Sequence, residues 1–135
     1  MKTAVIYWSG TGNTEAMARA LAEGAGADLF LVSEMGPDQA AGYDRLALGC
    51  PAMGDEVLEE TEFEPFFAQL EPQLAGKVLA LFGSYGWGDG AWMRDWADRA
   101  RAAGAVLCAD PLTVANAPDE QDLDACRELG RTLAQ

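Results

Sequence analysis

Thr3-Ala4-Val5-Ile6-Tyr7-Trp8-Ser9-Gly10-Thr11-Gly12-Asn13-Thr14-Glu15 is the stretch on which the fold turns, because an apolar run passes through a glycine-rich turn into a helical pattern. Residues 3–8 form a continuous apolar run of the kind that suits a strand covered on both faces. Gly10 and Gly12 let the backbone bend sharply and come close to a ligand. The successive N–H groups and the helix start near Glu15 present partial positive charge to an anion. Ser9, Thr11 and Thr14 add hydroxyl donors, and Asn13 adds an amide. Residues 9–14 contain no Lys or Arg, which separates the loop from the Gly-Lys-Ser/Thr of a P-loop, and the third glycine of the dinucleotide fingerprint is missing. A phosphate monoester suits this chemistry best; the alternative is a turn that only caps its helix.

Outward from this stretch the pattern repeats. Residues 28–32, 45–50, 77–83 and 105–108 are further short apolar runs. Between them lie residues spaced by three and four: Met17 and Leu21; Phe63, Phe66, Phe67 and Leu70; Trp92, Met93, Trp96, Ala97 and Ala100; Leu123, Cys126, Leu129 and Leu133. Such spacing marks amphipathic helices. Thr61 and Glu64 are placed as a capping box, Gly24 and Gly104 as helix stops, and Pro118-Asp119 as the opening of the last helix. Residues 33–44, with Gly36-Pro37 and Gly42, predict an irregular connection. Strand and helix alternate, which predicts an open α/β sheet with its functional loops at the carboxyl ends of the strands.

The 135 residues suit one domain, residues 1–135, able to bury about two-thirds of its unfolded surface. No apolar run approaches the roughly 20 residues needed to cross a bilayer, and the opening Met1-Lys2-Thr3 runs straight into the first strand instead of a secretory leader. A cytoplasmic protein with no membrane role is expected. Twenty-two acidic and nine basic residues give a net charge of −13, which disfavours nucleic acid and favours partners with basic surfaces. Cys50, Cys108 and Cys126 show no Cys-x-x-Cys spacing, so buried free thiols are expected and no zinc or iron–sulfur site is indicated. The absence of histidine removes the commonest general base and metal ligand, and with them most support for hydrolysis.

Two further segments, Gly49-Cys50-Pro51-Ala52-Met53-Gly54-Asp55-Glu56 and Phe82-Gly83-Ser84-Tyr85-Gly86-Trp87-Gly88-Asp89-Gly90, follow the third and fourth predicted strands. With Ser-Gly-Thr-Gly-Asn-Thr after the first, they make the chain resemble the short-chain flavodoxins from end to end. The resemblance implies the flavodoxin-like fold, a doubly wound five-stranded parallel sheet of order 2-1-3-4-5 with helices on both faces; that order comes from the family and not from periodicity. It also implies a low-potential electron carrier, not an enzyme, with one non-covalently bound FMN; a monomer is assumed. Ser9, Gly10, Thr11, Gly12, Asn13 and Thr14 would take the phosphate, helped by Ser84. Pro51, Ala52, Met53, Gly54, Asp55 and Glu56 would flank the flavin ring on one side and Tyr85, Gly86, Trp87, Gly88 and Asp89 on the other, with Asn116 near its edge.

Within that picture Trp87 stacks on one ring face, worth about 0.5–1.5 kcal/mol beyond area burial, and the Met53 thioether meets the other. The Gly54 carbonyl, flipped, accepts a hydrogen bond from flavin N5–H and stabilises the neutral semiquinone, while Glu56 contacts N3. Asp55, Glu56, Glu59, Glu60, Glu62 and Asp89 oppose the second electron, each by about 1.7 kcal/mol at about 10 Å and an effective dielectric near 20. The acidic rim at residues 59–64 is expected to dock redox proteins with basic surfaces. The chain departs from its relatives in a shorter stretch at residues 14–28 and in Ala91, where they often carry a charge. An NAD(P)H-dependent flavin or quinone reductase is the alternative on this fold, but a ring covered by Trp87 and Met53 leaves no place for nicotinamide. A receiver domain needs acids after the first strand, and residues 9–14 contain none.

Overall fold

Alternate residues of the central strands point to opposite faces, and both sets are apolar. Ala4, Ile6, Leu46, Leu48, Leu79 and Leu81 share one core, and Val5, Tyr7, Ala47, Ala80 and Phe82 share the other. A strand buried on both faces needs helices on both sides. The computed structural model describes residues 2–135. It contains β1 (Thr3–Tyr7), α1 (Asn13–Ala25), β2 (Asp28–Leu31), a one-turn α2 (Pro37–Ala40), β3 (Arg45–Gly49), α3 (Phe63–Leu70), β4 (Val78–Tyr85), α4 (Ala91–Ala102), β5 (Val106–Leu107), β6 (Leu112–Ala115) and α5 (Glu120–Ala134). The strands run parallel in the order β2-β1-β3-β4-β5, as expected. Residues 33–44 are irregular apart from α2 and a 3-10 turn.

The outermost lane differs from the prediction of a single fifth strand at 105–108. β5 pairs with Val78 and Leu79, and β6 pairs with residues 82–85 of β4. Phe82 faces Gly49 across one edge and Leu112 across the other, so β5 and β6 share one lane, interrupted at residues 108–111. The second half was not read because Leu112-Thr113-Val114-Ala115 follows Asp110-Pro111, a turn signal that ends a strand in any local reading. This second half brings Asn116 beside the carboxyl end of β4, where its N–H donates to the Tyr85 carbonyl at 2.8 Å.

Two local signals resolve differently in three dimensions. Gly24 lies inside α1, and Gly26 is the stop, at φ 63°. A Cβ on Gly24 would stand 2.0 Å from the Arg127 carbonyl oxygen, and one on Gly130 2.2 Å from that of Leu21; both are glycine so that α1 and α5 can touch backbone to backbone. The capping box at Thr61 and Glu64 is also not formed. Glu59 takes the N-terminus of α3 instead, and Glu64 pairs with Arg99 at 2.7 Å. Asp119 does open α5, accepting from the Asp122 N–H at 2.9 Å. Phe63, Phe66, Phe67, Trp92 and Trp96 are all buried, and Trp96 meets Phe63 and Phe67 edge-on at 5.4 and 5.8 Å, so α3 and α4 close one face with interlocked aromatics. Among the described residues no helix is long and apolar enough to cross a membrane.

Candidate functional site

The loop after β1 is built by its own side chains. Gly12 precedes α1 at φ 95°, a left-handed conformation that glycine adopts without a steric penalty. Ser9 Oγ accepts the N–H groups of Gly12 at 3.1 Å and Glu15 at 3.2 Å, drawing the loop back on the helix start. Thr14, 1% exposed, meets Ser84 Oγ at 3.1 Å and accepts the Ser84 N–H at 3.4 Å. This pair bolts α1 to the carboxyl end of β4. Among the described residues the N–H groups of Gly10, Thr11 and Thr14 meet no protein acceptor. They lie at a helix start, where backbone donors and the helix dipole favour an anion.

The loop after β3 is a tight reversal. The Met53 N–H donates to the Val57 carbonyl at 3.0 Å and the Glu56 N–H to the Met53 carbonyl at 2.7 Å. The left-handed residue of this turn is Glu56, at φ 53°, and not Gly54. A Cβ at Gly54 would meet nothing within 4 Å, so the turn is open to solvent beside the Gly54 Cα. The Glu56 carboxylate turns to α4, where it accepts the N–H groups of Gly90 at 3.1 Å and Ala91 at 3.0 Å. It passes so close to Gly88 that a Cβ there would stand 2.6 Å from its Cδ. In the loop after β4, Trp87 is 64% exposed. Asp89 pairs with Arg94 at 3.0 Å, and that bond holds its carboxyl below the usual range.

These loops converge at the carboxyl ends of β1, β3 and β4 around a cleft of about 280 Å³ lined by Trp8, Gly10, Thr11, Asn13, Pro51, Ala52, Met53, Ser84, Tyr85, Gly86 and Asn116. Ten of these were named from sequence. Trp8 was read only as the end of a strand, yet its ring packs under Gly10 and its indole N–H donates to Glu62 at 3.3 Å. Ser9, Gly12 and Thr14 stand behind the lining and shape it, while Gly54, Asp55, Glu56, Trp87, Gly88 and Asp89 lie outside it. A larger groove of about 470 Å³ runs along α4 past Met93, Arg94, Ala97, Arg101 and Pro111. Its arginines are paired with Asp89 and Asp98, and the Gly90 and Ala91 N–H groups at the start of α4 beside it are already taken by the Glu56 carboxylate, which leaves the smaller cleft as the candidate site. That cleft has neutral donors at one end and apolar side chains with Met53 at the other, which fits a phosphorylated, flat aromatic group such as FMN.

The acidic rim is reduced from the sequence expectation. Glu59 is 4% exposed; burial alone would raise its pKa, but hydrogen bonds from Thr61, Phe63 and Glu62 outweigh that and lower it. Glu64 is taken by Arg99, leaving Asp55, Glu60 and Glu62 as the exposed carboxylates of this edge. Cys50 and Cys126 are buried and Cys108 half-buried, all as free thiols. Burial pushes Cys50 far above the usual thiol range and Cys126 up to about 11, so neither is a thiolate nucleophile near neutrality.

Comparison with known proteins agrees with this architecture. The flavodoxin family model matches residues 5–130. The chain is 51% identical to a flavodoxin of Clostridium beijerinckii, over 96% of this chain and 97% of that protein. It is 46% identical to a flavodoxin of Megasphaera elsdenii, over 97% of each. The solution structure of two-electron reduced Megasphaera elsdenii flavodoxin superposes with a TM-score of 0.85 at 44% identity, covering 98% of both chains. An aligned sheet order, three loops meeting at one cleft and similarity over nearly the full length agree, and the chain belongs to the flavodoxin family of FMN-binding electron-transfer proteins.

Proposed function

We propose that the cleft between the loops after β1, β3 and β4 holds one FMN non-covalently, and that the protein passes single electrons at low potential between partners with basic docking surfaces. The observation that carries this reading is the division of the cleft: neutral backbone and hydroxyl donors at the start of α1, and Met53, Pro51, Ala52 and Tyr85 at the other end. When bound, FMN supplies the capacity to take up and release electrons one at a time. The residues of the chain do the rest.

The N–H groups of Gly10, Thr11 and Thr14, with the Thr11 hydroxyl and the Asn13 amide, bind the phosphate without a lysine or arginine. Ser9 and the Thr14–Ser84 pair hold that nest in shape, so little order has to be acquired on binding. Met53 and Trp87 cover the ring, and the exposed indole of Trp87 gains apolar contact by doing so. The Gly54-Asp55 peptide, with open space beside the Gly54 Cα, would offer a carbonyl able to turn toward the cofactor; Asn116 would border the ring, and the Glu56 carboxylate, held on the start of α4, would anchor the turn and not reach the ring. Asp55, Glu60 and Glu62 form a negative edge that steers a basic partner, so electron exchange slows as ionic strength rises.

Stepwise anaerobic reduction of the FMN-reconstituted protein tests this reading. Two resolved one-electron steps, with a distinct visible spectrum between them, are expected. Direct two-electron bleaching would indicate a reductase, and failure of the protein to take up FMN removes the proposal.

A further inference from the structure

The turn at residues 53–57 hangs between two helix N-termini. On one side the Glu56 carboxylate sits on the first turn of α4, as described. On the other the Glu59 carboxylate, almost fully buried, accepts the N–H groups of Thr61 at 2.7 Å, Glu62 at 2.8 Å and Phe63 at 2.9 Å, and the Thr61 hydroxyl as well. A buried carboxylate is costly unless its oxygens are satisfied, and helix-start donors satisfy it with the dipole aligned in its favour. The result is a stiff joint.

This joint lies at the exit of the turn. The Glu59 N–H donates to Cys50 Sγ at 3.4 Å, closing the neck of the loop, and Leu58 beside it is buried. One residue further, the Val57 carbonyl accepts the Met53 N–H that closes the turn itself. Neither Glu59 nor its three backbone donors line the cleft, so any influence on the cofactor is indirect.

We infer that Glu59 is a positioning residue for electron transfer: anchored on the N-terminus of α3, its carboxylate fixes the exit of the turn and so governs how readily the Gly54-Asp55 peptide reorients toward the cofactor. The inference rests on the FMN reading of the cleft. A residue that merely capped α3 would affect that helix and leave the turn and the potentials unchanged.

The experiment compares wild type with Glu59→Gln and Thr61→Val. In the cofactor-free protein, amide hydrogen exchange is followed at Met53 and Glu56 in the turn and at residues 61–63. In the FMN-loaded protein, the two one-electron midpoint potentials are measured. Glu59→Gln is expected to speed exchange at Met53 and Glu56 by roughly five- to tenfold, the size of a lost helix cap, and to change the gap between the two potentials. Thr61→Val retains the carboxylate and all three N–H bonds and is expected to produce a smaller change of the same sign. Faster exchange confined to residues 61–63, with an unchanged potential gap, overturns the inference. If Glu59→Gln does not fold, Thr61→Val decides by the same two readouts. Wild-type protein that binds no FMN defeats the cofactor reading, whereas the exchange data still judge the control of the turn by Glu59.

Discussion

The loops after β1 and β3 face one cleft, yet the first is closed by neutral bonds within its own strand–helix unit and its neighbour β4, and the second by carboxylates that reach to two other helices. Ser9 Oγ binds N–H groups three and six residues away, and apart from the Thr14–Ser84 pair this loop is held by its own near neighbours. The turn at 53–57 depends on Glu56 meeting residues 34 and 35 positions away and on Glu59 meeting α3. The difference suits the two tasks. A phosphate monoester keeps its charge through the redox cycle and needs a rigid nest, whereas a group whose protonation changes needs a neighbour that can move.

Breaking the rigid side is expected to have the largest effect. Gly12→Val places a β-branched residue at φ 95°, at a cost of about 2–3 kcal/mol. FMN titration by calorimetry is expected to show affinity reduced roughly a hundredfold, with the gap between the two one-electron potentials little changed, because the ring end is untouched. Equal loss of the gap would mean that the two ends are not independent.

A smaller effect separates covering from building. Trp87→Ala is expected to lower FMN affinity by roughly tenfold, from about 1.5 kcal/mol of lost stacking, while thermal unfolding of the cofactor-free protein is unchanged, since an indole 64% exposed contributes little to the fold. The contrast is Trp92→Ala: this indole is 1% exposed, with its N–H on the Cys50 carbonyl at 3.1 Å, and its loss should cost the fold about 3–5 kcal/mol.

The smallest effect sharpens the comparison most. Gly54→Ala adds a methyl to open space, so folding and FMN affinity stay close to wild type. The gap between the two potentials is expected to narrow by about 80 mV, because about 1 kcal/mol of hydrogen bond formed only in the one-electron-reduced state moves the two potentials in opposite directions by about 40 mV each. Spectroelectrochemistry reads this directly, and an unchanged gap would place the redox control elsewhere than at this peptide.

What could be read from the amino-acid order was whatever depends on near neighbours. The continuous apolar runs required strands covered on both sides, the three-and-four spacings required helices, and the glycines and hydroxyls of residues 9–14 required a turn that cradles an anion. The family resemblance of the three loops named ten of the eleven residues that line the cleft between them. Tertiary structure decided the partners of the carboxylates. Glu59, Glu60, Glu62 and Glu64 look alike in sequence, but one is buried on α3, one is paired with Arg99 and two face solvent. It also decided that Gly24 serves helix contact and not a helix stop, and that the outer lane of the sheet is completed by β6. In each case the deciding atom comes from another element, such as the Arg127 carbonyl against Gly24, the Arg99 guanidinium on Glu64 and the edge of β4 beside Leu112. Local pattern specifies which conformations a segment can adopt, and only the packed chain determines which donors and surfaces lie within reach.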